Sequence, residues 1–152
     1  MPRLIFHTIL FLGVASQAWA GTLDDAFQIL KDAKTIKCVF SSGYVADWQT
    51  GKMEPKTDKT IMTAHFDAID WKAGKARSLG NQGAANERVT LTPSGLNFIE
   101  ETNSGNLTVT TVFAAYKAGT NEFIAVFSRH MNILGVAIPS QYHGTCMVLP
   151  SQ

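Results

Sequence analysis

The chain of 152 residues has only two cysteines, no excess of either charge sign and no apolar run long enough to cross a bilayer. Each shortage excludes something. Without a CxxC pair the thiols match neither a redox motif nor a thiolate metal site. Thirteen basic residues stand against twelve acidic ones. Lys37, Lys52, Lys56, Lys59, Lys72, Lys75, Arg77 and Arg88 are interleaved with acids and turn residues rather than clustered, so nothing calls for nucleic acid. The longest apolar stretch, 4–14, falls short of the roughly 20 residues of a membrane helix. A membrane barrel needs strands of about 9–11 residues with a continuous apolar outer band, which this pattern does not supply. There is no GxSxG turn to activate a serine, no internal repeat and no low-complexity tract.

What is present begins at the N-terminus. Arg3, the apolar run and the small-residue pattern Ala18-Trp19-Ala20 before Gly21 predict an export signal cleaved after Ala20. The expected mature chain, 21–152, is one domain of roughly 130 residues with balanced charge, in the periplasm or secreted. Gly21 rather than Cys after the cleavage point argues against a lipid anchor. In an oxidising compartment Cys38 and Cys146, near opposite ends of the mature chain, are expected to form a disulfide.

Periodicity predicts an all-β domain with one N-terminal helix. Thr22 is a suitable N-cap, and Leu23, Ala26, Phe27 and Leu30 form an apolar stripe. After Lys34 the period changes to two, and eight strands are expected, over 36–44, 60–69, 75–79, 87–92, 96–101, 107–113, 122–129 and 142–148. Short Gly, Asn and Ser turns between the middle strands imply hairpins, hence an antiparallel up-and-down meander. A disulfide joining first strand to last would hold its edges together as a small closed barrel. Parity gives the expected inward faces: Ile36, Cys38 and Phe40; Met62, Ala64, Phe66 and Ala68; Leu96 and Phe98; Leu107, Val109 and Phe113; Phe123, Ala125 and Phe127. Because Ile124 and Val126 make the last of these strands apolar on both faces, the helix is expected to cover it from outside.

One rim of such a barrel would carry the longer connections, 45–59, 80–86, 102–106 and 131–141, and one-mouthed binding barrels place function on such loops. Glu100 and Arg129 continue inward faces at this rim, and Tyr142 begins a neighbouring strand there. With Trp48 in the longest loop they are the candidate ligand-binding residues, and a structural ion pair is the other use of the two charges. His65, His130 and His143, with Asp67 or Glu101, lack metal-ligand spacing, so no metal or other cofactor is expected. Ser128 and His130 share the outward face, and Glu100 and Glu101 point to opposite sides, so neither pair reads as catalytic.

In architecture, and in the run Ser128-Arg129-His130 followed by Pro139-Ser140-Gln141-Tyr142-His143-Gly144-Thr145-Cys146, the chain resembles small exported bacterial β-barrel proteins of lipocalin-like build. The resemblance implies the fold and carries no activity. Some exported barrels of this size inhibit lysozymes or proteases, and no inhibitory motif is found here. Two functions are therefore expected: a non-enzymatic barrel binding a small amphipathic ligand at its long-loop mouth, or a protein-binding module using the apolar loop 131–138.

Overall fold

The computed structural model describes residues 18–48, 51–80 and 83–150. The export signal expected over 1–20 lies largely outside them. Helix α1, Ala18–Asp32, leads into eleven strands: β1, Ile36–Asp47; β2, Glu54–Asp58; β3, Met62–Asp70; β4, Lys75–Gly80; β5, Gly83–Thr92; β6, Gly95–Glu101; β7, Leu107–Tyr116; β8, Phe123–His130; β9, Asn132–Ile133; β10, Val136–Ala137; and β11, Ser140–Val148. Eight of these, β1, β3 to β8 and β11, pair antiparallel in sequence order, and β11 returns to pair with β1. The sheet thus closes as an eight-stranded antiparallel barrel and leaves no long unpaired edge.

All eight expected strands are present, and the disulfide lies on the seam. Cys38 and Cys146 are register partners of β1 and β11, both buried and bonded to each other across a separation of 108 residues. The seam is tight. A Cβ at Gly144 would fall 2.0 Å from the Val39 carbonyl oxygen, so only glycine fits that position of β11.

The connections at the two ends differ. At one end run the tight turns at 71–74, 93–94 and 117–122, and α1 packs across that end against β6 and β7. Ala26, Leu30 and Ala33 join one core with Ile36, Phe66, Ile69, Val89, Leu96, Phe98, Val112 and Phe123. The Trp71 indole donates to the Lys31 carbonyl at 2.8 Å, tying the β3–β4 turn to the helix. The opposite end carries the connection 48–61, which contains β2, and the connection 131–139, which contains the small β9–β10 hairpin.

Five expectations are corrected. Thr22 does not cap α1, whose backbone runs through it from Ala18, and Leu23 is more than half exposed. The helix does not cover β8 from outside; it crosses the tight-turn end, and Ile124 stays exposed. In β3 an irregularity between Asp67 and Asp70, with Ala68 at φ 48°, turns Ala68 outward and puts Ile69 into the core. An extra residue in a strand reverses the parity beyond it. In β7 the inward face is Thr108, Thr110 and Val112, not Leu107, Val109 and Phe113: Thr110 pairs with Phe98 and Phe127, and Val112 with Leu96 and Ala125. Phe113 instead faces a groove that it shares with Leu23 and Phe27 of α1, so an outer position is apolar because the helix shelters it. Finally, 80–86 is no long loop, because β4 and β5 pair as far as Gly80 and Gly83.

Candidate functional site

Successive cross-strand partners on the inward face form rows around the barrel. One runs Val89, Phe98, Thr110, Phe127, Tyr142, Gly43 and Asp58, and the next toward the 48–61 end runs Glu100, Thr108, Arg129, Ser140 and Val45. The first row is largely apolar and the second largely polar. Tyr142 belongs to the first and is 1% exposed, deeper than a rim position. Its ring lies over Gly43, where a Cβ would approach Tyr142 Cδ1 to 2.3 Å. A bulge between Phe40 and Ser42 lets β1 present Gly43, rather than a larger neighbour, to that ring.

The Tyr142 hydroxyl donates to Asp58 Oδ2 at 2.8 Å. Asp58 also accepts from the Thr60 amide at 2.9 Å and the Thr60 hydroxyl at 2.6 Å, an Asx-type turn that fixes the chain between β2 and β3. The Thr60 hydroxyl and amide, then Tyr142 and the nearby Arg129 charge, hold the Asp58 carboxyl below its ordinary value. Arg129 Nε donates to Ser140 Oγ and its Nη2 to the Tyr142 hydroxyl, both at 3.4 Å. The guanidinium also lies 5.8 Å from the Phe127 ring centroid and 5.6 Å from that of Tyr142.

Among the expected site residues, then, Arg129 and Tyr142 meet. Glu100 shares the row of Arg129 two strands away but faces Glu87: one step beyond the Arg88–Ile99 pair, the two carboxylates oppose each other on β5 and β6. Glu87 is 8% exposed, and burial raises its carboxyl above the ordinary value; a Ser78 hydrogen bond opposes that rise, and the Glu100 charge adds to it. Trp48 is exposed just past the end of β1, and its carbonyl accepts from the Gly51 amide.

Inward-facing residues divide by level. Toward the helix Ile36, Cys38, Val89, Leu96, Phe98, Ala125 and Cys146 are buried. Toward the other end Met62, Ala64, Ser78, Ala85, Glu100, Thr108, Phe127 and Arg129 keep partial exposure although they point into the barrel.

Sequence reasoning passed over Asp58, Glu87 and Ser140. Glu87 is two residues from Val89 on the same strand, so parity alone places it inward. Asp58 gives no such signal, because β2, Glu54–Asp58, has no apolar alternation to mark it as a strand. Among the described residues no group of three or more His, Cys, Asp and Glu side chains is arranged to hold a metal ion, and no helix is long and apolar enough to cross a membrane.

The strand pairings and the disulfide define a closed eight-stranded antiparallel barrel with one N-terminal helix, and its cross-link suits a non-reducing environment. No protein-family model, curated protein or solved structure matches the chain.

Proposed function

We propose that the protein is an exported, non-enzymatic barrel that binds one small amphipathic molecule at the end carrying the long connections. The observation that supports this most is the change of accessibility along the inside: a closed apolar floor under α1, and above it inward-pointing walls that a solvent molecule still reaches. Eight strands leave room for side chains or for one small ligand.

Phe127, Met62 and Ala64 offer apolar contact and Glu100 and Arg129 offer charge, while the buried Tyr142, bonded to Asp58 and Arg129, positions the guanidinium from below. Trp48 stands at the rim. The basic start, apolar run and Ala18-Trp19-Ala20 pattern support export, and the buried disulfide is compatible with it. Native mass spectrometry of the protein purified from its own host tests the reading. A retained small-molecule mass, lost on Phe127→Trp substitution to fill the space, is expected. A bare protein that also binds no added amphiphile would overturn it.

A second reading, a protein-binding module, has its own observation. The β9–β10 hairpin carries Leu134 at its tip, fully exposed, with Ile133 and Val136 also exposed beside it. Leu134 has φ 52° and Gly135 φ 86°, the pair of positive φ values found in a type I′ turn, where a leucine is costly. The hairpin is held rigid by the Asn106 side chain accepting from the Asn132 amide at 3.0 Å and by the Asn132 side chain accepting from Gly135 at 2.9 Å. A strained, exposed apolar residue on a fixed support suits insertion into a partner's pocket. Affinity capture from extracytoplasmic extract, with and without Leu134→Asn, tests it: a partner lost with the substitution supports it, and equal capture counts against it.

A further inference from the structure

We infer that the outer face of the disulfide seam is a self-association surface, through which two copies of this chain pack about a twofold axis running along β11. Outward positions of three adjacent strands meet there: Lys37 and Val39 on β1, His143, Thr145 and Met147 on β11, and Ile124 on β8, with Glu122 just before β8. They line one groove on the outside of the barrel. Val39, Ile124 and Met147 are between 40% and 45% exposed, three large apolar side chains side by side. Among the described elements none covers them, because α1 crosses the tight-turn end and the connections 48–61 and 131–139 lie at the other. Met147 also lines a second groove with Ile29, Tyr116 and Phe123, so the apolar surface continues onto the exposed Ile29 of α1.

The placement of charge points to a second copy as the occupant. Lys37 pairs with Met147, and Glu122 stands opposite Met147 one step beyond the Cys146–Phe123 pair, so one outward row reads Lys37, Met147, Glu122. The next reads Val39, Thr145, Ile124. On either side of β11 the first row carries opposite charges and the second carries apolar side chains. A half-turn about the β11 direction brings a second copy face to face with the first and exchanges β1 with β8 without shifting the rows. Lys37 then meets Glu122 of the second copy, Glu122 meets its Lys37, Val39 lies toward its Ile124, and the two Met147 side chains meet on the axis. The surface carries its own complement, as an isologous contact requires, and the strands of the two faces run aligned, a common packing of sheets. Lys37 and Glu122 have no ion pair or side-chain hydrogen bond within their own chain among the described residues, and with β11 between them their strands are about 10 Å apart. Both side chains are long enough to span the gap that opens beside the line of contact between two convex barrels. Lys117, one strand further out than Glu122, falls where the barrels diverge. The barrel mouth and the β9–β10 hairpin lie away from this face and stay open in the dimer.

Analytical ultracentrifugation of the disulfide-bonded protein, from micromolar to millimolar concentration, tests the proposal, and a monomer–dimer equilibrium is expected. Lys37→Glu sets carboxylate against carboxylate twice in the dimer and should raise Kd at least about tenfold; Glu122→Lys should do the same with two pairs of cations. The combination of Lys37→Glu with Glu122→Lys exchanges the charges and restores both contacts, so its Kd should return to within about threefold of wild type. A structural role for either residue in its own chain would give no such rescue. Met147→Glu places two like charges on the axis and should leave the protein monomeric throughout. Unchanged melting temperatures and near-UV spectra show that each variant keeps the fold. A wild type that stays monomeric to millimolar concentration overturns the proposal, as does a dimer indifferent to Met147→Glu and to both charge reversals. Reversals that weaken the dimer without rescue in the combination overturn the twofold arrangement. A dimer kept in Met147→Glu and lost in Leu134→Asn moves the contact to the hairpin and overturns it as well.

Discussion

The Tyr142 hydroxyl and the Asp58 carboxylate, 84 residues apart, are joined by a 2.8 Å hydrogen bond that fastens the β2 segment to the inner wall of β11. Tyr142→Phe removes the donor from a carboxylate that keeps its Thr60 partners, and it leaves the Arg129 donor without its hydroxyl. The expected result is a melting temperature lower by several degrees, with increased proteolysis within 48–61. Limited proteolysis and thermal unfolding check it.

The same contact gives a pH signature. Because Asp58 titrates below its ordinary value in the folded protein, its contribution is present above the unfolded value near 3.8 and is lost as pH falls through the lower folded value. Wild type should therefore lose more stability than Asp58→Asn between about pH 4 and pH 2. Urea midpoints across that range measure the difference.

Glu87 has the opposite sign. Its folded value is raised, so the native state holds the proton more tightly than the unfolded chain, and stability falls as pH rises from about 4.5 through the folded value. Glu87→Gln should flatten this slope and make the protein more stable than wild type at pH 7, with no gain below pH 4. A variant less stable at pH 7 would show that the Ser78 hydrogen bond outweighs the cost of burying the carboxylate.

The seam depends on its cross-link and its glycine. Replacing Cys38 and Cys146 by serine releases a closure of 108 residues, for which the chain-entropy model predicts a loss of about 4–5 kcal/mol. Gly144→Ala forces a Cβ into the Val39 carbonyl and should cost about 3 kcal/mol or more by separating β1 from β11. Denaturant unfolding monitored by tryptophan fluorescence measures both.

At the hairpin tip, Leu134→Asn replaces a leucine at positive φ by a residue that tolerates that region, and should stabilise the protein by about 1 kcal/mol. Loss of a captured partner in the same variant would show why a strained leucine occupies the position.

Much of the barrel was readable as sequence because its signals are local. Alternation marked all eight barrel strands, the Gly and Asn turns marked the hairpins between them, and two cysteines on the first and last strands admitted one pairing, which the disulfide on the seam bears out. Parity also placed Glu100 and Arg129 on inward faces. Where local signals stopped, only the tertiary structure decided. The bulges in β1 and β3 reverse parity without any composition that announces them, and β7 has apolar residues on both faces, so its orientation follows from Phe98, Phe127 and Ala125 on its neighbours. The polar strand β2 has no hydrophobic period to read, yet it delivers Asp58 to Tyr142. The helix position depends on which end of the closed barrel exposes core, a property of the assembled sheet and of no single segment. A sequence period reports which side of a strand is apolar; which charges oppose each other across the interior depends on register, and register is settled only when all the strands pair.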